Sequence, residues 1–391
     1  MKKNKNNPVI ILGGGINALG IIRSFERTNI PVVAMSWYKD FGMKSRFCKA
    51  VICPHPLNKE NFIDFLIQYS QKLSHKPVLF VTTDLFLMSV IEYKNILDDY
   101  YHIPFCGRET LEPLLKKEFL YALVNSLNIP SPKTFILKDH SDFEKIKNNI
   151  DFPVIIKPSV NINFSKLLGN KAFIVSNDES LSKLFFEIRN KDLYSETIVL
   201  QEYIPGDTKD LYTITSYSNK YNEIVGYSIG HKIRQYPPQT GTIISGKVTH
   251  VEDILQQAEK FIKVTKFYGL SNIEFKLDNR DGKYKLMEIN PRLGVWNLSA
   301  LSCGVNLPLL AYMDVLGKPT IKTFNKEKEV IWLITPVDFY LSLWGYKKKG
   351  YNEFSMNFKQ WLNSINGHKI DACFKWDDPL PFIFGFFKKF S

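Results

Sequence analysis

The residues with the clearest capacity for chemistry lie between positions 272 and 292. In Asn272-Ile-Glu-Phe-Lys-Leu-Asp278 polar and apolar residues alternate. As a strand, this segment puts Asn272, Glu274 and Lys276 on one face and Ile273, Phe275 and Leu277 on the other. Tyr284 to Ile289 reads as the return strand, with Leu286, Glu288 and Asn290 sharing a face and Met287 and Ile289 opposite. A three-residue loop, Arg280-Asp281-Gly282, with Gly282 in the left-handed conformation, closes a hairpin. That register pairs 279 with 283, and therefore Glu274 with Glu288. Like charges facing each other across a hairpin cost up to roughly 1 kcal/mol, and more where the dielectric is low, so something must offset them. With the amide oxygen of Asn290, the two carboxylates form a hard, all-oxygen donor set. Such a set suits Mg²⁺ better than zinc and leaves coordination places for phosphate oxygens and water. The spacing leaves one alternative open, an exposed hairpin with lysine counterions.

These residues need a scaffold, and its order can be read from the N-terminus. An apolar run, Pro8 to Leu12, leads through a glycine turn to a helical pattern (Ile21, Ile22, Phe25) and a second run, Pro31 to Ser36, which is a parallel β-α-β opening. Ala50 to Cys53 and Val78 to Thr82 continue it as strands, with Phe62 to Leu73 and Leu85 to Ile96 as helices, so residues 1–112 read as a doubly wound α/β domain. Gly13, Gly15 and Ala18 fit a loose dinucleotide fingerprint, but Val32 to Trp37 carries no acid for a ribose. A Walker loop is excluded because Ile21 and Ile22 stand where Lys and Ser/Thr are required. What remains is a turn that needs glycine geometry, or a helix N-terminus that holds a carboxylate or amine substrate. Thr82, Thr83 and Asp84, at a strand end, are weak pocket candidates, Asp84 being equally a helix N-cap. After Pro113 come a helix, Lys117 to Leu127, and an α+β stretch with short strands at Val154 to Lys157 and Ile198 to Gln201.

The 391 residues carry 45% hydrophobic and 23% charged side chains, ordinary for a globular chain, and no apolar run is long enough to span a membrane. The net charge of +12 favours anionic partners without choosing among them. No nucleic-acid-binding motif is present, and the basic residues are mixed with acids, so nucleic acid is not expected as a partner. Five scattered cysteines, Cys48, Cys53, Cys106, Cys303 and Cys373, read as reduced thiols of a cytoplasmic protein. Over 319–391, 17 of 73 residues are aromatic against 14% in the whole chain, which predicts a separate accessory unit with Trp332, Trp344, Trp361 and Trp376 in its core. Within it, Phe382 to Lys389 mixes phenylalanines with lysines, which suggests peripheral contact with an anionic membrane.

Glu288-Ile-Asn-Pro-Arg292, preceded by Glu274, resembles the metal signature of the ATP-grasp superfamily. Earlier elements fall in that family's order: Lys117 opening a helix, Lys157 ending a strand in Phe152-Pro-Val-Ile-Ile-Lys157-Pro, and Gln201-Glu-Tyr-Ile-Pro-Gly206 as a nucleotide hinge. The resemblance implies an ATP-grasp fold, mixed α/β and α+β, with a doubly wound N-terminal domain (1–112), an ATP-grasp domain over 113–318 with a lid at about 133–203, and the aromatic tail unit (319–391). It implies ATP and two Mg²⁺ ions as cofactors, with Mn²⁺ as a substitute. Lys117 and Lys157 would hold the α- and β-phosphates. Gln201, Glu202 and Ile204 would contact adenine, with Tyr203 in the same nucleotide site, and Asp207 would contact the ribose. Glu274, Glu288 and Asn290 would hold the metal, and Arg292 would stabilise the transferred phosphoryl group. Lys232 and Arg234, alternating onto one strand face, are candidates for the acylphosphate or the substrate carboxylate.

Within the superfamily the chain looks most like D-aspartate ligase-type amino-acid ligases, through Tyr203-Ile-Pro-Gly-Asp207, Lys171-Ala-Phe-Ile-Val175 and Tyr284-Lys-Leu-Met-Glu-Ile-Asn290. It departs in the lid loop, where Ser159 to Gly169 offers one glycine. The expected activity is a carboxylate–amine ligation through an acylphosphate, on small-molecule acids and amines, in a chain that could form homo-oligomers. Attachment of an amino acid to a cell-envelope or polysaccharide precursor, and a non-catalytic nucleotide sensor, are the alternatives.

Overall fold

Buried aliphatic runs build the first layer. β1 (Val9–Leu12), β2 (Val32–Ser36), β3 (Lys49–Ile52) and β4 (Val78–Val81) pair in parallel in the order β3-β2-β1-β4. β1, β2 and β4 are buried along their whole length, as strands covered on both faces must be. This is the doubly wound arrangement that the alternation predicts. The structure is a computed structural model and describes residues 6–146, 149–159, 172–190, 197–239, 241–324 and 329–390. The lid loop expected over Ser159 to Gly169 lies, beyond Ser159, outside the described residues, and so do the side chains after Gly385.

A second sheet holds β5 (Thr134–Leu137), β6 (Val154–Pro158), β7 (Phe173–Val175) and β8 (Ile198–Glu202), antiparallel in the order β5-β8-β6-β7. The third is the largest. β9 (Leu211–Ser218), β10 (Ile224–Tyr236), β11 (Thr242–Thr249), β12 (Gly269–Asp278) and β13 (Lys283–Asn290) form an antiparallel run ordered β13-β12-β9-β10-β11. Ile214, Ile229, Ile273, Phe275 and Leu286 line its apolar face. They pack on Ile254, Ala258, Phe261 and Ile262 of the helix Glu252–Thr265, whose apolar residues recur at helical spacing. Ile10, Leu12 and Leu79 of the first sheet belong to the same core, so hydrophobic packing is continuous across the expected boundary at residue 112. The opposite face of the large sheet carries Thr213, Asn272, Glu274 and Lys276.

The segment 319–391 is not a separate unit. It adds β14 (Thr323–Phe324), parallel to β10, and extends the large sheet with β15 (Ile331–Leu333), antiparallel to β11, and β16 (Lys369–Asp371), parallel to β15. Trp332 is fully buried and Trp361 nearly so, but Trp344 is half exposed and Trp376 is 88% exposed. The aromatic enrichment thus serves the sheet edge and its covering helices more than a core of its own. Arg23, buried in the helix Ile16–Ser24, donates to the buried Asp378 carboxylate at 3.2 Å and to Cys373 O at 2.8 Å, which fastens the tail to the first domain. The last helix, Leu380–Phe390, packs on Phe41–Lys44, with the Lys44 ammonium 4.5 Å from the Phe384 ring centre. Phe382 faces inward. Among the described residues no helix is long and apolar enough to cross a membrane.

Candidate active site

The β12–β13 hairpin brings Glu274 opposite Glu288 and Asn272 opposite Asn290. The route to that pairing differs from the expected one. Near the turn the partners are Asp278 with Lys283 and Phe275 with Leu286, one residue out of the expected register, because the loop has four residues, 279–282. Asp278 dictates this: its carbonyl accepts from Gly282 N at 2.8 Å and its carboxylate from Arg280 N at 3.0 Å, with Gly282 at φ +70°. A bulge at Met287 then absorbs the extra residue and restores Glu274 to Glu288. Tyr121, fully buried on the helix Lys117–Ser126, donates its hydroxyl to Met287 O at 2.5 Å and so pins the bulge.

The same helix presents Lys117 at its start. Lys116 is drawn off to Glu112 at 3.0 Å, while Lys117 Nζ donates to Ser159 O at 3.0 Å. Lys157, on β6, donates to Gln201 Oε1 at 2.8 Å and lies 5.7 Å from the Tyr121 ring centre. Burial pulls the Lys157 ammonium down to about 8 against the opposing pull of Glu288, and lowers Lys117 in the same way. Glu288 moves in the opposite direction. It is reached by water yet surrounded by protein, and this desolvation, reinforced by Glu274, raises its carboxyl while Lys117 and Lys157 oppose the rise. Glu274 has Lys232 Nζ at 3.7 Å.

Arg292 completes the cluster. Its Nε and Nη2 fork onto the Asp84 carboxylate at 2.7 and 2.9 Å, and Nη2 also donates to Asn290 Oδ1 at 3.1 Å. Burial is the largest single influence and works against the guanidinium charge, but the Asp84 hydrogen bond together with the negative charges of Asp84, Glu288 and Glu274 outweighs it and the pKa rises. Asp84 begins the helix that follows β4, so a carboxylate of the first domain holds the arginine of the last. Asn17 supports this junction, its amide donating to Thr82 O at 3.0 Å and Leu293 O at 3.3 Å. The glycine turn is sterically required: Gly13 has φ +134°, and a Cβ there would meet Thr82 Oγ1 at 1.8 Å.

Three sheets, with a lysine from each of two elements facing a carboxylate pair on a third, match solved structures. N5-carboxyaminoimidazole synthetase from Staphylococcus aureus superposes with a TM-score of 0.64 at 16% identity, over 90% of this chain and 88% of that one. L-amino acid ligase from Bacillus licheniformis superposes with a TM-score of 0.60 at 17% identity, over 81% and 75%. The family described as "ATP-grasp in the biosynthetic pathway with Ter operon" matches residues 233–335, which hold both glutamates, Asn290 and Arg292. D-aspartate ligase from Enterococcus faecium (strain Aus0004) is 26% identical over 357 residues, covering 85% of this chain and 83% of that protein. The chain has the ATP-grasp fold.

Within this ATP-grasp frame two of the expected residues are engaged by protein partners. Gln201 is fully buried: its Oε1 accepts from Lys157 and its Nε2 donates to Thr134 Oγ1 at 2.9 Å. Both ends of the amide are thereby engaged, and its oxygen holds the Lys157 ammonium in place. Arg234 was expected to share a face with Lys232. A bulge between them breaks the alternation, and the Arg234 guanidinium forks onto the fully buried Asp338 at 2.6 and 2.6 Å and donates to Ser364 Oγ at 2.7 Å. Ser245 and Trp361 donate to the same carboxylate. Arg234 is thus the structural partner of a tail aspartate.

The remaining hinge residues differ in exposure and partners. Glu202 accepts from Lys133 N and is paired with Arg280, Ile204 is buried, and Asp207 is largely exposed, 3.5 Å from Lys209. Lys276, buried on the same strand face as Glu274, extends its ammonium to 5.1 Å from the Tyr203 ring centre. Sequence reasoning missed Tyr121, Lys276 and Asp338. Only Lys276 carried a signal, its place two residues beyond Glu274. Among the described residues no group of three His, Cys, Asp or Glu side chains is gathered where it could hold a metal ion. Asn290 stands opposite Asn272 at the end of the same hairpin, its Oδ1 accepting from Arg292.

Proposed function

We propose that the chain is an ATP-dependent carboxylate–amine ligase that forms an amide through an acylphosphate, and that the residues named above divide the work. The observation that carries this reading is the in-register pair Glu274 and Glu288 beneath Lys117 and Lys157, with Arg292 at one end. Two facing carboxylates are an unfavourable arrangement in a bare hairpin, and with Asn290 they make the hard oxygen set that Mg²⁺ takes. We assign Glu274, Glu288 and Asn290 to two such ions. When bound, the metal supplies positive charge against the polyphosphate of ATP.

Phosphoryl transfer needs positioning and charge cancellation more than a protein nucleophile. Lys117 and Lys157 hold the α- and β-phosphates, the latter aimed by Gln201. Glu202, Tyr203 and Ile204 border the adenine, and Asp207 the ribose. One carboxylate oxygen of the acid attacks the γ-phosphorus while the bond to the β-phosphate oxygen breaks, releasing ADP. Arg292, locked in orientation by Asp84, stabilises the charge on the transferred group. Lys232 faces the same space from β10 and holds the acylphosphate. The amine nitrogen then attacks the acyl carbon, the carbon–oxygen bond to phosphate breaks, and the nitrogen loses its proton as inorganic phosphate leaves. Cys53, Cys303 and Cys373 are buried thiols, which agrees with a cytoplasmic setting.

The test is release of ADP and phosphate from Mg-ATP over a matrix of carboxylic acids and amines, including D- and L-amino acids, with Glu288→Gln as control. Release that requires one acid together with one amine, and is lost in the variant, is the expected result. Binding of ATP with no acid-dependent release would favour a nucleotide sensor.

A further inference from the structure

A cavity of about 420 Å³ lies over the far half of the large sheet, walled by Ile16, Phe41, Ile243, Val295, Val337 and Phe382. It shares the sheet face of the proposed reaction centre. Lys232 on β10 pairs with Gly246 on β11, and Ile243 reaches back over Gly246, its Cδ1 2.7 Å from where a Cβ would stand. Trp296 lies across both Gly230 and Gly246 on that face. With strands about 4.8 Å apart and about 3.3 Å per residue, Ile243 is on the order of 10 Å from Lys232. Two of the cavity's walls are also joined to the site along the chain: Val295 is three residues past Arg292, and Ile16 directly follows the Gly13–Gly15 turn.

We propose that this cavity takes a bulky apolar substituent of the acid substrate, whose carboxylate lies at Arg292. The inference rests on the ligase reading and names the substrate class for it. Aliphatic and aromatic side chains dominate the walls, and the size falls within the roughly 300–1,000 Å³ of small-molecule pockets. The tail supplies Val337 and Phe382, so building this pocket is a role for a segment that the proposed phosphoryl transfer leaves unused. Aspartate would bury its second carboxylate against these walls without a counterion, so an apolar acid is favoured over an acidic one.

Calorimetry of full-length protein carrying Mg-ADP, titrated with straight-chain carboxylates from acetate to octanoate and with aspartate, tests the pocket without requiring turnover. The dissociation constant should fall about fourfold per buried methylene until the cavity is full, with aspartate weaker than hexanoate. Val337→Trp, which fills the space, should flatten the series, with retained Mg-ADP binding as the check on folding. If that variant does not fold, Ile243→Ala enlarges the cavity and should extend the favourable series to longer chains. Affinity independent of chain length, or tighter binding of aspartate than of hexanoate, overturns the proposal. Failure of the ligase reading looks different: no acid–amine pair would give Glu288-dependent ADP release even though the chain-length trend held.

Discussion

Lys157 gives the sharpest handle on the phosphate site, because its charge is the one most weakened by the fold. Burial lowers it to about 8, and a lysine so depressed is neutral above that pH. With one titrating group at about 8, roughly nine-tenths of the free protein carries the charge at pH 7 and roughly one-tenth at pH 9. If the protonated ammonium is what binds phosphate, the dissociation constant for Mg-ADP should rise about tenfold between pH 7 and 9, or about 1.4 kcal/mol. Lys117 is lowered in the same direction, so the slope of log Kd against pH is at least one at the alkaline end. Calorimetry in buffers of differing ionisation enthalpy should show uptake of nearly one proton per nucleotide at pH 9 and little at pH 7. Lys157→Met should weaken binding at pH 7 and remove most of the pH dependence. An affinity flat from pH 7 to 9.5 in the unaltered protein would refute the argument that this ammonium meets the phosphates.

Asp338→Ala should destabilise the chain by about 3–5 kcal/mol in urea unfolding, because it strands the buried Arg234 cation; a loss under about 1 kcal/mol would mean the tail is not integral to the sheet. Asp84→Ala should slow acid-dependent ADP release by about 10- to 100-fold through misplacement of Arg292, with nucleotide affinity nearly unchanged. Glu288→Gln should abolish that release yet stabilise the metal-free chain by up to about 1 kcal/mol at pH 7, since it removes one of two facing charges. The sign follows from the raised carboxyl: the folded chain binds a proton more readily than the unfolded one. This favourable contribution is present in acid and is lost as the pH climbs from the ordinary glutamate range through the raised value. Thermal melts of the two proteins at pH 4 and 7 compare it directly, and the variant should lack the loss.

The local code was strong where the chain had one covering surface to satisfy. Alternation placed β12 and β13, unbroken apolar runs placed β1, β2 and β4, and Lys117 was distinguished from Lys116 by where its helix begins. The pairing of Glu274 with Glu288 was also legible, though through a turn one residue shorter than the real one, with the bulge at Met287 restoring the match. A bulge is set by a partner from elsewhere, here the Tyr121 hydroxyl, and no short-range pattern announces it. Arg234 shows the same limit: its spacing from Lys232 promised a shared face, and a second bulge with a buried aspartate 104 residues away took it elsewhere. Gln201 likewise carried no sign in the sequence that its two amide ends would be matched to Lys157 and Thr134.

By itself, then, the sequence determined the order of the elements, the face on which the carboxylates stand and the charge types gathered around them. These follow from side-chain period and backbone sterics, which act over a few residues. Tertiary structure alone decided which cations face the carboxylate pair and which are consumed in the scaffold, that the aromatic tail is the edge of the main sheet, and that an apolar cavity lies over the far half of that sheet. Each of these depends on which distant surface excludes water from a given side chain. Desolvation of that kind lowers Lys157, raises Glu288 and makes Asp338 the partner that Arg234 cannot do without.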